Sequence, residues 1–205
     1  MPIASLSSPE LVVSWPVVDR ARLVRLLAER AFERRRVTLA SGRESDFFLD
    51  CKQAVLTAEG HALVGVVMLA AVDAMGAHGE AEAVAGVELG GCPLASAVSL
   101  VSAQRGRPLP ALYVRKEAKD HGSKKLVEGD KSLRDGLRVV MLEDVVTTGG
   151  STLKAVQKLR EAGAHVVGVV ALVDRQEGGA EAIAAAGLPF VAVAHRHDFL
   201  PPASS

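Results

Sequence analysis

The 205 residues carry 24 basic and 24 acidic side chains, 49% are hydrophobic, and aromatic residues make up only 3%. A net charge of zero argues against nonspecific nucleic-acid binding, and so few aromatics argue against a base-stacking surface. Two cysteines, Cys51 and Cys92, are too few for a disulfide framework and lack metal-ligand spacing, so a reduced, cytoplasmic setting is expected.

The chain is long enough for one good core with a small appendage. Its N-terminus shows no basic segment ahead of an apolar block, and no apolar run is long enough to span a bilayer. A soluble protein is expected. Residues 17–36 follow a helical pattern, with Val18, Leu23, Leu26, Leu27 and Ala31 inward and the arginines of Glu33-Arg34-Arg35-Arg36 as a solvated helix end. Residues 37–52 read as two short extended pieces around a Ser41-Gly42-Arg43 turn, with Phe47, Phe48 and Leu49 as an apolar wall.

A helix is predicted over 57–75, a buried strand over 83–87 and a loop over 88–92. Pro93, at the favoured first position, then opens a helix reaching about residue 104. Strands follow at 109–115, 139–142 and 166–174. Apolar strands alternating with helices predict an α/β fold with a parallel sheet covered on both faces. In such sheets ligands bind beyond the carboxyl ends of the strands, so Glu88 to Cys92, Asp144 to Ser151 and Asp174-Arg175 should converge.

The stretch RVVMLEDVVTTGGSTLKAVQKLREAG organises the rest. An apolar run delivers the adjacent carboxylates Glu143 and Asp144. A loop of Thr147, Thr148, Gly149, Gly150 and Ser151 follows, then an amphipathic helix (Leu153, Val156, Leu159) stopped by Gly163. Glycines let backbone N–H groups approach a phosphate at a helix N-terminus, and the hydroxyls add donors. Read from the residues alone, this is either a phosphate cradle beside sugar-binding acids or a Gly-rich strand–helix turn with exposed acids. Residues 115–129 form a long polar loop, basic over 115–125 through Arg115, Lys116, Lys119, Lys124 and Lys125 against Glu117 and Asp120. Such a loop is either functional or a solvated surface. His195-Arg196-His197 is open to surface metal binding or to none.

LEDVVTTGGST resembles the phosphoribosyl-pyrophosphate (PRPP) motif of type I phosphoribosyltransferases, with Glu143 replacing the commoner Asp. RKEAKDHG, from Arg115, is similar to the catalytic loop of orotate phosphoribosyltransferases. Ser41, Gly42, Arg43, Ser45, Phe47 and Phe48 match their pyrimidine hood, and DRQEGG, from Asp174, matches a third segment. The resemblance implies transfer of phosphoribose from PRPP to orotate, with Mg²⁺ held mainly by PRPP rather than by side chains. It also implies a homodimer in which the loop reaches the partner's site. The implied PRPP contacts are Arg115, Lys116, Lys119, His121, Glu143, Asp144, Val145, Val146, Thr147, Thr148, Gly149, Gly150 and Ser151. The implied orotate contacts are Phe47, Phe48, Thr147 and Arg175, and Lys119, His121 and Asp144 are the implied catalytic residues.

The implied architecture is a type I phosphoribosyltransferase fold, with an N-terminal helix and hood at 1–56 and a PRPP-binding core at 57–205. Two departures remove lysines usual in the family, leaving Ala40 and Gly90 with Arg43 and Lys52 as the neighbouring cations. Transfer to a purine or another pyrimidine, and a catalytically idle PRPP sensor, are the alternatives. Arg175 and the intact loop argue against them.

Overall fold

The structure is a computed structural model and describes residues 13–35, 37–38, 44–45, 47–78, 80–117 and 126–200. Helix α1 (Val17–Arg30) turns Leu23, Leu26 and Leu27 into the core. It ends six residues before the predicted stop, because the chain straightens into β1 (Phe32–Glu33), which pairs antiparallel with β4 (Phe48–Leu49). Glu33 is therefore a strand residue, and Arg34 and Arg35 are exposed beyond the helix. Between them β2 (Val37–Thr38) pairs with β3 (Glu44–Ser45), the expected hairpin, whose turn lies outside the described residues.

Phe47 and Phe48 do not form one wall, since neighbouring residues of an extended chain face opposite ways. Phe47 is fully buried against Phe32 and Phe199, at 4.9 and 5.9 Å between ring centroids. Phe48 is half-buried beneath the Arg35 guanidinium.

After the short α2 (Lys52–Val55), α3 (Ala58–Ala74) begins at Thr57, whose side chain accepts a hydrogen bond from Gly60 N–H. Then come β5 (Ala83–Val87), α4 (Gly91–Gln104) and β6 (Ala111–Val114). Pro93 is the third helical residue of α4 rather than the first, still within the turn whose N–H groups need no helical partner. The polar segment ends in an unpredicted edge strand, β7 (Val127–Glu128). Strand β8 (Arg138–Val146), helix α5 (Gly150–Glu161) and β9 (His165–Asp174) follow. The sequence reading stops short of α6 (Gly179–Ala185) and β10 (Phe190–His195).

Six strands form one sheet in the order β10-β9-β8-β5-β6-β7, parallel except for β7. Alternation along β8 sends Val140 and Leu142 into a core with α1, α3 and α4 residues, and Val139 and Met141 into a second core with α5 residues. The chain leaves β5 for β6 on one side and returns to pair β8 on the other. The strand order therefore reverses between β5 and β8, which opens a crevice at their carboxyl ends.

Phe47 is thus a keystone between the N-terminal segment and the end of the sheet. Phe47→Ala is expected to lower unfolding free energy by about 3–5 kcal/mol, as truncation of a buried aromatic does. A denaturant midpoint unchanged from the unaltered protein would contradict that packing role.

Candidate active site at the strand-order reversal

Strand β8 does not stop before the acids, as the sequence reading had it, but carries them within its last turns of pleat. Glu143 continues the face of Val139 and Met141 towards α5, where Thr152 Oγ1 donates to its Oε2 at 3.0 Å. It is only 6% exposed. Burial first, and then the negative charge of Asp144, push the Glu143 carboxyl up to about 8. Asp144 is half-buried, and its Oδ1 accepts from Val145 N–H at 3.0 Å. A Cβ built on Gly90 would overlap the Asp144 carboxylate, so the missing side chain at residue 90 is what lets the β5 loop lie against this acid.

The turn after β8 is shaped by Gly149, whose φ of +78° L side chains rarely adopt. Gly150 then opens α5 with its N–H groups facing outward, while Thr148, Gly150 and Ser151 are exposed and Thr147 is half-buried. Gly179 closes the turn from behind, since a side chain there would overlap Val146 and the Thr147 carbonyl. The second glycine of DRQEGG, Gly179, is thus a packing partner of the cradle, whereas Gly178 supplies the left-handed turn that opens α6. In the same segment Asp174 Oδ1 accepts from Gln176 N–H (2.8 Å), and Arg175 N–H donates to the Val146 carbonyl (2.9 Å). Arg175 is buried at the end of β9 and pairs with Glu177 at 2.8 Å.

The base of the basic loop is tied down at its start. Lys158 Nζ, from α5, donates to the carbonyls of Arg115 (3.0 Å) and Lys116 (2.7 Å). Glu88, in the β5 loop, accepts from Lys116 N–H, and Arg115 pairs with Glu128 of β7 at 3.5 Å. Lys119 and His121 lie outside the described residues, as do Ala40, Ser41, Gly42 and Arg43. Lys52 is placed close to the acids. It hydrogen-bonds Asp50 at 2.5 Å, which chiefly raises its affinity for a proton, and the charge of Asp144 adds to the effect.

Among the described residues the structure brings together Glu143, Asp144, Val145, Val146 and Thr147 to Ser151 with Arg175, around one crevice. Arg115 and Lys116 approach it from β6. Phe47 sits below Arg175 as core, with the guanidinium carbon 5.2 Å from its ring centroid. Sequence reasoning placed Glu88 in a converging loop and Thr152 and Glu177 inside motifs but gave them no role, and it gave none at the site to Lys158 or Arg196. Thr152 carried a faint signal, a hydroxyl in the first turn of a helix behind an acid-bearing strand. The others sit on separate elements, and only the tertiary fold joins them. Ligand atoms of His195, His197 and Asp198 lie within 4.8 Å of one another, but Asp198 already takes the His195 N–H (2.8 Å) and faces Arg20 (3.8 Å).

The acid pair makes stability depend on pH in a defined direction. The folded Glu143 carboxyl binds its proton more tightly than the unfolded one, so the folded state is favoured below about 4.5 and loses that advantage as pH rises through about 8. Glu143→Gln removes this loss. Its melting temperature should gain on the unaltered protein between pH 5 and 8 and hold that gain above, by the equivalent of at least about 1.4 kcal/mol, one pKa unit. Parallel melting curves across that range would show that Glu143 is not a protonated buried acid.

The phosphoribosyl transferase domain family matches residues 59–187. The orotate phosphoribosyltransferase of Sorangium cellulosum is 73% identical over 183 residues, 89% of this chain and 94% of that protein. That of a Bradyrhizobium species is 46% identical over 185 residues, 89% of this chain and 97% of the relative. Among solved structures, orotate phosphoribosyltransferase of Mycobacterium tuberculosis in complex with PRPP superposes with a TM-score of 0.69 at 38% identity, over 88% of this chain and 98% of that one. The same enzyme in complex with Fe(III) dicitrate gives 0.73 at 40% identity, over 88% and 98%. With an acid-bearing strand, a glycine-turned cradle and a buried arginine at the reversal of its sheet, the chain belongs to the orotate phosphoribosyltransferase family.

Proposed function

We infer that the chain transfers the phosphoribosyl group of PRPP to orotate, forming the bond from the base N1 to ribose C1 and releasing pyrophosphate. The product is orotidine 5′-monophosphate, a step of pyrimidine synthesis. The observation that carries this reading is the crevice between β5 and β8. It sets a half-exposed carboxylate, Asp144, beside a helix-N-terminal cradle, one strand away from a buried arginine. A phosphorylated sugar and an anionic base fit those three chemistries.

Each group has a physical task in the proposal. The N–H groups opening α5, with the hydroxyls of Thr147, Thr148 and Ser151, hold the 5′-phosphate. Asp144 accepts from the ribose hydroxyls and stands by the positive charge that builds on the ring as the C1–O bond breaks. Glu143, whose carboxyl burial and the Asp144 charge make harder to ionise, limits the negative charge of the pair until a cation or sugar arrives. Arg115 and Lys116 lie on the side where pyrophosphate leaves. Lys119 and His121, by the family resemblance, close over it and exclude water. Lys158 and Glu88 hold the start of that loop so that closure begins from a fixed stem. Arg175 offers a planar fork to the base carboxylate, which uracil lacks.

An oxygen-lined acidic site beside phosphate donors suits Mg²⁺, with Asp144 the side chain placed to face it and PRPP supplying most ligands. The ion would neutralise charge on the diphosphate. We also propose a homodimer. The exposed Leu89, in the β5 loop, and Leu100, on α4, are apolar surface for a partner to cover. No described helix is long and apolar enough to cross a membrane.

Ultraviolet absorbance of orotate with purified protein tests the reading. A loss of signal that requires PRPP and Mg²⁺, vanishes with a chelator and is absent with uracil or adenine is expected. Asp144→Asn should lower kcat about a hundredfold or more while the protein stays folded. Turnover of another base, or full activity in the Asn variant, would overturn the substrate or the role of Asp144 respectively.

A further inference from the structure

We propose that Arg196 is a second cation of the subsite that receives the base carboxylate, working beside Arg175. The assignment rests on the reading of the site given above. It comes from the way β10 lies against β9. The two strands run parallel with His195 opposite Asp174, so the residues that follow, Arg196 and Arg175, leave the sheet side by side.

Three geometric facts then bring the two guanidiniums to one place. Each has its central carbon 5.2 Å from the centroid of the same Phe47 ring. Both address the same carboxylate oxygen, Glu177 Oε1, Arg175 at 2.8 Å and Arg196 at 3.9 Å. The turn carrying Arg196 is itself fixed, because Asp198 Oδ2 accepts from His195 N–H at 2.8 Å and closes the end of β10. Arg196 is thus held on a short rigid turn over a buried aromatic ring.

Exposure distinguishes the two cations. The Arg175 side chain is 8% exposed and Glu177 13%, whereas Arg196 is 32% exposed. An anion entering from solvent meets Arg196 first and reaches Arg175 past it. Two guanidiniums converge on one carboxylate here, an arrangement that favours a monoanionic base over a neutral one. Glu177 fixes the spacing of the two guanidiniums, and its charge keeps them together when no ligand is bound.

Steady-state kinetics with the full-length protein test the assignment. Arg196→Gln keeps length and polarity but removes the charge. It should raise the KM for orotate about five- to tenfold, the scale of a partly exposed charge contact. The KM for PRPP should stay put, and Arg196→Lys should recover part of the loss. Inhibition by 6-methyluracil, which lacks the carboxylate, should be unaltered. An unchanged orotate KM in Arg196→Gln would overturn the assignment. Equal weakening of orotate and 6-methyluracil would do so too, because it would mean a loosened fold rather than a lost charge contact. Absence of orotate turnover in the unaltered protein would bring down the functional reading itself, and this assignment with it. Orotate turnover in both proteins with the same orotate KM brings down only the assignment.

Discussion

Two adjacent carboxylates sit inside the carboxyl end of a fully covered parallel strand, and much of the local architecture answers that constraint. An ionised acid in such a place carries a heavy desolvation penalty, and a second beside it raises the penalty further. The chain meets it in three ways. Burial and the neighbouring Asp144 charge raise the Glu143 carboxyl's hold on its proton, and it takes a hydrogen bond from Thr152. The N-terminal end of α5, with its positive dipole, begins a few residues later. Asp144 is left half-exposed, against a β5 loop whose Gly90 has no side chain to crowd it. The result is a pair that holds little charge when empty and can take on more when a cation or sugar arrives.

The position of that pair follows from topology. Because β5 hands the chain outward to β6 and receives β8 on its other flank, the loops after β5 and β8 diverge. Close backbone packing then sets the walls. Side chains at Gly86 and Gly91 would run into the neighbouring backbone, and Gly179 supports the cradle from below. These glycines permit approach, and only Gly149 is needed for a left-handed turn at the helix start. The distinction matters because it predicts which positions accept alanine if the neighbour yields and which are strained whatever the space.

Periodicity made the parallel sheet and its central helices legible, because strands buried on both faces are nearly unbroken apolar runs and α5 has a clear apolar face. The acids, the cradle and Arg175 were legible as motifs. Besides α6 and β10, which the sequence reading did not reach, three things were not. The strand through Glu143 and Asp144 was hidden because charged residues read as a loop, whereas pairing with β9 outweighs their low strand preference. Strand β7 was hidden inside a polar segment, since two residues on a sheet edge carry no periodic signal. The contributions of Lys158, Glu88 and Arg196 depend on contacts between elements far apart in sequence, which no local pattern encodes. Conversely, the adjacent Phe47 and Phe48 looked like a binding wall, but alternation splits them and the core claims Phe47.

The absence of lysine at Ala40 and Gly90, where the family resemblance leads one to expect it, bears on how charge is distributed over the crevice. A lysine at residue 90 would have to displace the Asp144 carboxylate, so in this chain the acid and the missing cation are two sides of one arrangement. Lys52 approaches the same carboxylate from α2 and is already neutralised in part by Asp50. Positive charge is instead concentrated at the two ends of the crevice, at Arg115 and Lys116 just after β6 and at Arg175 and Arg196 just after β9 and β10. On the proposed reading the ends receive the pyrophosphate and the base carboxylate, and the centre receives a sugar that becomes cationic as its bond to pyrophosphate breaks. Basic ends around an acidic centre complement that transition state, because the acid stands where positive charge develops on the ring and the cations stand where negative charge collects.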